Sequence, residues 1–290
     1  MANVYQMVTD RITAQLEQGN IPWRKPWTGV SAEDGGAINY VSRHPYSLIN
    51  QMLLGKPGEW LTWKQVEELG GTVKKGAKAG IVVFYTKLTI EDKTLLNPET
   101  GEPETRTIPY LKYYHVFHLD DCEGITSKIV PSDEPKTEPI EAAEKVIADY
   151  LSRQPKLRFH NDKPSNRAYY NLTLDEVVVP MLSQYKIPAE YYSTTFHELT
   201  HSTIPESRCD RKAENERSFF GNTEYSREEL VAEIGSAMLC NRVGIEAEKA
   251  FRNSVAYIKS WLEALKNDPK MIVWASSRAE KAAKFILNEF

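Results

Sequence analysis

The chain has 290 residues, of which 41% are hydrophobic, 10% aromatic and 26% charged. This composition excludes a disordered chain and is typical of a globular protein, and the length favours about two domains. The net charge of −4, from 36 basic and 40 acidic residues, excludes a protein that is basic overall. A local basic patch would still allow the chain to bind nucleic acid.

Cysteine usage and the N-terminus predict a cytoplasmic protein. Cys122, Cys209 and Cys240 have no CxxC spacing, which is typical of ordinary thiols in a reducing compartment. Residues 1–18 lack the basic and apolar segments of a signal peptide. The longest apolar stretch, residues 177–182, is too short to cross a bilayer, so we expect no membrane partner.

The predicted elements indicate an α+β fold. An apolar residue recurs every fourth position from Val4 to Leu16 ahead of Gly19, which predicts an amphipathic helix with a glycine stop. Further along, the patterns predict a short helix over about 45–54, a capping-box helix from Thr62 to Gly70, strands over 80–90 and 108–119, a helix over 140–153, strands over 156–160 and 167–180, and helices from residue 190 onward.

Residues 126–139 have the composition of a linker, with three prolines among charged and small polar residues. We therefore predict an N-terminal α+β domain over 1–125, a linker over 126–139, and a mainly helical domain with a small sheet over 140–290.

The sequence HELTH at His197–His201 is an HExxH motif. On a helix, His197 and His201 share one face, so both imidazoles can reach the same cation, and Glu198 can act on water beside it. Zinc is the usual occupant of such a site. The alternative is a pair of surface histidines on an amphipathic helix.

A second predicted helix supplies carboxylates for a third ligand. Glu229 and Glu233 lie four residues apart, and the small residues Ala232, Gly235 and Ser236 would let this helix lie close to the HExxH helix. Ser226 and Glu229 also have capping-box spacing, which gives Glu229 an alternative, structural role.

HELTH followed by EELVAE resembles the gluzincin type of zincin metallopeptidase. The resemblance implies that Glu229 is the third ligand and that Glu233 orients His197 or His201, with Glu228 and Glu233 as the alternative ligands. Residues 168–180 resemble the edge strand on which zincins bind an extended peptide.

The reaction implied is metal-assisted hydrolysis, in which the catalytic Glu198 takes a proton from the attacking water. Gluzincins often stabilise the oxyanion with a later histidine. None follows His201, so Tyr225 and Tyr257 are the candidates for that role. Zinc is the expected cofactor, and Mn²⁺ is the alternative because two histidines and a carboxylate bind both.

The remaining histidines have weaker signals. His115 and His118 lie three apart on a predicted strand, so they face opposite sides and favour structural roles. His44 and His160 have no visible partner in the sequence.

The N-terminal part combines aromatic and basic side chains, which single-stranded DNA binding requires. The alternative is that the tryptophans fill a core and the lysines form a solvated turn. The candidate DNA contacts are Trp23, Arg24, Lys25, Trp27, Trp63, Lys74, Lys75 and Lys78.

The segments IPWRKPW and EWLTWKQVEELGGTVKKGAKAGIVVF resemble the N-terminal domain of ArdC-type antirestriction proteins. This family joins a single-stranded-DNA-binding domain to a zincin-like metallopeptidase domain, in this order. The resemblance implies a protein of a plasmid or other mobile element that protects incoming DNA from restriction during conjugation. Single-stranded DNA is the expected partner, with double-stranded DNA and a host restriction enzyme as further ones.

Three rival functions follow from the same motifs. In the first, a DNA-targeted metalloprotease cleaves a DNA-bound host protein. In the second, the chain only binds DNA and its metal site is structural. In the third, a generic cytosolic peptidase has no affinity for DNA.

Overall fold

The computed structural model describes residues 3–24, 36–96, 103–129, 139–211, 223–245 and 254–289. Its mixture of helices and sheets confirms the predicted α+β class. Within the described ranges, no helix is both long and apolar enough to cross a membrane.

Among the described residues of the N-terminal part, three α-helices have ends that follow the local sequence signals. Their bounds are α1 Val4–Glu17, α2 Leu48–Leu54 and α3 Trp63–Glu68. The apolar stripe of α1 is buried, and the helix stops before Gly19, whose φ is +80°. Both hydrogen bonds of the predicted capping box between Thr62 and Gln65 are present at the start of α3.

A four-stranded sheet in the order β1-β2-β5-β4 supports these helices. Its strands are β1 Ala37–Asn39, β2 Gly58–Leu61, β4 Gly80–Leu96 and β5 Pro103–His118. Strands β4 and β5 form the predicted antiparallel hairpin, which is longer than the sequence pattern indicated. The short strands β3 Thr72–Val73 and β6 Cys122–Glu123 pair separately beside it.

The C-terminal part places helices against a three-stranded sheet in the order β7-β9-β8. The strands are β7 Arg158–His160, β8 Tyr169–Asn171 and β9 Glu176–Val178, and the helices are α4 Pro139–Arg153, α5 Pro188–Ser202, α6 Thr223–Arg242, α7 Ser254–Asn267 and α8 Met271–Leu287. The single strand predicted over 167–180 is wrong. It divides into β8 and β9, which reverse direction at a turn containing Asp175 with φ 47°.

One apolar cluster contains side chains from both parts of the chain. Val8 and Ile12 of α1 belong to the same buried cluster as Ile234 of α6 and Ile272 of α8. The Thr9 hydroxyl also donates a hydrogen bond of 2.8 Å to the Pro269 carbonyl. The two parts therefore pack directly on each other, and the division at residues 126–139 stays a prediction.

Helices α5 and α6 pack closely because α6 has small residues where they meet. A Cβ at Gly235 would lie 2.7 Å from Cγ2 of Thr200, and the Ser236 hydroxyl donates to the Ser193 carbonyl at 2.7 Å. Both contacts require the backbones to approach closely. This confirms the predicted approach of the glutamate-bearing helix to the HExxH helix.

The contact between Gly235 and Thr200 can be tested with a double-mutant cycle. Gly235→Ala should destabilise the protein, since overpacking typically costs about 1–3 kcal/mol and outweighs a helix-propensity gain of about 1 kcal/mol. With Thr200→Ala present, the clashing Cγ2 and Oγ1 atoms are gone, so Gly235→Ala should become neutral or stabilising. Denaturant unfolding of the four proteins measures this, and equal effects in both backgrounds would contradict the contact.

Candidate metal centre

Three ligand side chains from two helices converge on one point. His197 and His201 lie one turn apart on α5, and their Nε2 atoms are 3.2 Å apart. Glu229 of α6 places Oε2 at 3.4 Å from Nε2 of His197 and Oε1 at 3.3 Å from Nε2 of His201. The structure thus brings together the three residues that the sequence predicted as ligands.

The separations within this cluster fit a tetrahedral cation. Ligand atoms at 2.0–2.1 Å from a tetrahedral zinc ion lie about 3.3–3.4 Å from one another. The two Nε2 atoms are 3.2 Å apart, and each lies at 3.3 or 3.4 Å from a different oxygen of the Glu229 carboxylate, which is close to that value. Three protein ligands leave a fourth position open, which is the arrangement of a catalytic site.

Electrostatic coupling holds this cluster together. Burial would lower the pKa of His201, but its hydrogen bonds with Glu228 and Glu229 raise that pKa to about 10. Burial likewise opposes ionisation of Glu229, yet hydrogen bonds with His197 and His201 bring its carboxyl pKa well below the usual value. The carboxylates therefore place negative charge beside the two imidazoles. This charge favours the binding of a divalent cation.

Glu228 contacts His201 on the side of the ring away from Glu229. Its Oε1 lies 3.5 Å from Nδ1 of His201, the ring nitrogen that does not face Glu229. Arg211, which is almost fully buried, holds this carboxylate through Nη2 at 2.8 Å and also donates to the hydroxyl of Thr203. A carboxylate on the second nitrogen of a ligating histidine fixes the ring orientation.

Glu233 does not have the role that the resemblance implied. Its Oε1 accepts a hydrogen bond of 2.6 Å from Nη2 of Arg24, so this buried carboxylate pairs with the N-terminal part. The residue placed to orient a histidine is Glu228, one position before the ligand Glu229.

Glu198 and Tyr185 are further candidates for the chemistry of this site. Glu198 is 7% exposed and follows His197 directly. Burial raises the pKa of Tyr185, a hydrogen bond with Thr194 lowers it, and the charges of Tyr191 and Glu198 raise it further. Because Thr194 lies one turn before Glu198 on α5, the Tyr185 phenol lies on the helix face that carries the site.

Tyr185 was missed by the sequence analysis, because it precedes α5 in a short turn with no motif spacing to mark it. The side chains of the sequence candidates Tyr225 and Tyr257 lie outside the described residues.

Strand β8 lies at the edge of the small sheet, against the helix that carries His197 and His201. It pairs with β9 on one side and packs against α5, and its other side has no strand partner within the described ranges. Arg208 fixes the turn between β8 and β9 through a bond of 2.7 Å to Asp175, which also accepts from Tyr170.

The structure separates the predicted DNA contacts into two groups. Trp23 is 0% exposed and Arg24 is 4% exposed, so neither side chain can stack on a base or reach a phosphate, and their assignment as DNA contacts is wrong. Trp23 packs in the main core instead, and Arg24 pairs with Glu233. Lys25 and Trp27 lie outside the described residues.

The second group lies at the surface. Trp63 is 52% exposed, and Lys74, Lys75 and Lys78 are all exposed around the turn between β3 and β4.

The remaining histidines are not part of the metal cluster. His118 is buried and its Nε2 lies 2.9 Å from the Pro57 carbonyl, whereas His115 is exposed, so the two face opposite sides as predicted. His160 pairs with Glu176 at 3.1 Å, and His44 is exposed.

An HExxH helix facing a carboxylate helix beside a small sheet defines a zincin-like metal-binding protein. Residues 146–278 match the model of a zincin-like metallopeptidase family, and residues 2–117 match that of the N-terminal domain of the anti-restriction factor ArdC. The chain belongs to the ArdC-type antirestriction protein family.

Solved structures agree with this assignment. The metal-free crystal structure of antirestriction protein ArdC from plasmid R388 is 34% identical, with a TM-score of 0.73, and the match covers 99% of this chain and 97% of that one. The Mn(II)-bound structure of the same protein is 33% identical with a TM-score of 0.70, covering 99% and 98% of the two chains. These likenesses support a divalent metal in this family member.

Two kinds of relative are found among curated proteins. The protein y4eC of Sinorhizobium fredii is 30% identical over 98% of this chain and 91% of its own length. Two DNA primases TraC of Escherichia coli are also 30% identical over 98% of this chain. The chain spans only 27% and 20% of the length of those primases.

Glu228 and Glu233 allow a matched test of which carboxylate supports the metal. Glu228→Gln should weaken metal binding about 10- to 100-fold, because His201 loses its charged partner. Glu233→Gln should lower the melting temperature by weakening the bond to Arg24 while changing metal affinity less than about threefold. Chelator competition with Zn²⁺ measures both affinities, and the reverse ranking would contradict the assignment.

Proposed function

We propose that this chain is an antirestriction protein that binds single-stranded DNA through its N-terminal part and hydrolyses a peptide bond at His197, His201 and Glu229. The observation that carries the proposal is the convergence of these three side chains at separations of 3.2–3.4 Å, with Glu198 buried beside them. Zinc is the proposed metal, and Mn²⁺ is the alternative that the same donor set accepts.

The chain's own residues supply the parts of a hydrolytic site. When bound, a divalent metal would lower the pKa of a water and polarise a carbonyl. In this proposal Glu198 accepts the proton of the attacking water and returns it to the leaving amine. Tyr185 donates a hydrogen bond to the developing oxyanion, in the role that a later histidine has in gluzincins.

The substrate-binding element in this proposal is β8. An extended peptide can add to a free strand edge through main-chain hydrogen bonds. Because β8 packs on α5, such a peptide would pass beside His197 and Glu198. The ion pair between Arg208 and Asp175 holds the turn that follows β8 in position.

DNA binding would bring this site to its protein substrate. Among the described residues, the sequence candidates that are exposed are Trp63, Lys74, Lys75 and Lys78, and Lys25 and Trp27 stay predictions. Incoming single-stranded DNA in a bacterial cytoplasm is the proposed partner, and a restriction enzyme of the host is the proposed substrate.

Replacing Glu198 separates hydrolysis from binding. Glu198→Gln should abolish protection of incoming plasmid DNA from restriction, since the general base is lost, while the affinities for DNA and Zn²⁺ stay within about twofold. Glu206→Gln is the control, because this exposed carboxylate lies just beyond α5. It should protect as well as the original protein.

Full protection by Glu198→Gln would show that hydrolysis is not needed. Since no histidine follows His201, a structural metal centre in a DNA-binding protein is the second candidate function, and that result would favour it.

A further inference from the structure

We propose that Tyr113, His115 and Phe117 of β5, together with Trp63 at the start of α3, form the surface on which the bases of single-stranded DNA stack. We call these four residues the aromatic row. This inference rests on the proposed DNA binding and names where it takes place.

The aromatic row follows one face of β5. Successive side chains of a strand point to opposite faces, so every second residue from Tyr113 to Phe117 lies on the same face. The rings of Tyr113 and His115 are 5.6 Å apart, and the ring of Trp63 lies 5.8 Å from that of Phe117. Alternate residues of a strand recur about every 7 Å along the backbone, so these side chains follow one another along β5.

The fold does not use the central rings of the aromatic row as core. On the same face of β5, Leu111 is buried in the main core at one end, and Phe117 packs on a small cluster with Leu61 and Val66 at the other. Between these cores, Tyr113 is 41% exposed and His115 is exposed. Trp63 adds a second large exposed ring at the Phe117 end.

Positive charge adjoins the same end of the aromatic row. Val73 packs on the cluster that Phe117 joins, and the exposed Lys74 and Lys75 follow it directly. Lys78 lies two residues before Gly80, which pairs with Val116 of β5. Within the described ranges, none of these three lysines is paired with a carboxylate, although Lys74 donates to the Asp120 carbonyl.

Acidic groups also border the aromatic row. The nearby Lys64 pairs with Glu68 at 3.6 Å, so that lysine is partly neutralised. On this side of the aromatic row, the turn at residues 74–78 carries lysines with no carboxylate partner among the described residues, which favours a narrow path for one DNA backbone.

Exposed rings beside unpaired lysines fit a single strand better than a duplex. Aromatic rings stack on unpaired bases of any sequence, whereas the bases of a duplex already stack on one another. The lysines can neutralise the phosphates that leave the stacked bases. The chemistry of the aromatic row thus selects single-stranded DNA with little preference for sequence.

Fluorescence anisotropy with a labelled oligo(dT) strand tests the proposal on the full chain at two salt concentrations. Trp63→Ala and Tyr113→Ala should each weaken binding at least about fivefold and leave the salt dependence unchanged, because stacking releases no counterions. Lys75→Ala should instead reduce the slope of log affinity against log salt by about 0.7. A labelled duplex of the same length should bind more weakly than the single strand.

Tyr114→Ala is the matched control. Tyr114 is 47% exposed on the same strand but on the opposite face, where it packs against Phe84. It should bind oligo(dT) like the original protein, and equal melting temperatures would show that the variants are folded.

The outcomes separate this inference from the proposed function. If the original protein does not bind oligo(dT), the proposed DNA binding fails. If the original protein binds oligo(dT) but Trp63→Ala and Tyr113→Ala bind it equally well, the DNA lies elsewhere and the proposed role of the aromatic row is overturned. The same conclusion follows if Tyr114→Ala loses as much affinity as those two variants. Stronger binding to the duplex would overturn the choice of ligand.

Discussion

The close contact of α5 and α6 at Gly235 and Thr200 is the constraint on which the metal centre depends. His197 and His201 are fixed by their spacing on α5, but Glu229 reaches them only because α6 lies against that helix. Any side chain at Gly235 would meet Thr200 one position before His201. A change of a few tenths of an ångström there would alter the 3.3–3.4 Å separations between the carboxylate and the imidazoles.

Buried ion pairs fix α6 on both sides of its ligand. Glu228 is bonded to Arg211 and Glu233 to Arg24, and all four side chains are nearly inaccessible to solvent. A buried charge is costly without a partner, so such pairs specify one arrangement more than they add stability. The Arg24 pair also joins the N-terminal part to the metal helix one turn beyond Glu229. This ion pair and the shared apolar core pack the two parts of the chain directly on each other.

The sequence predicted the features that depend on local spacing. The HExxH motif, the capping box at Thr62 and the β4–β5 hairpin each follow from residues close together in the chain, whereas Glu229 was assigned as a ligand by the resemblance to gluzincins. The burial of Arg24 and its pairing with Glu233 could not be predicted, because 209 residues separate the two. The resemblance implied that Glu233 orients a histidine, and only the packing of α6 shows that Glu228 lies beside His201. The alternation in β5 places Tyr113 and His115 on one face, but only the tertiary structure shows that both side chains are exposed.

The central claim is that one divalent cation binds between α5 and α6 on His197, His201 and Glu229. Anomalous diffraction from crystals of this chain grown with Zn²⁺, recorded on both sides of the zinc absorption edge, tests it most directly. The account predicts one strong peak about 2.0–2.2 Å from Nε2 of both histidines and from a Glu229 carboxylate oxygen. A peak on Glu228 or Glu233 instead, or no peak between the two helices, would contradict it.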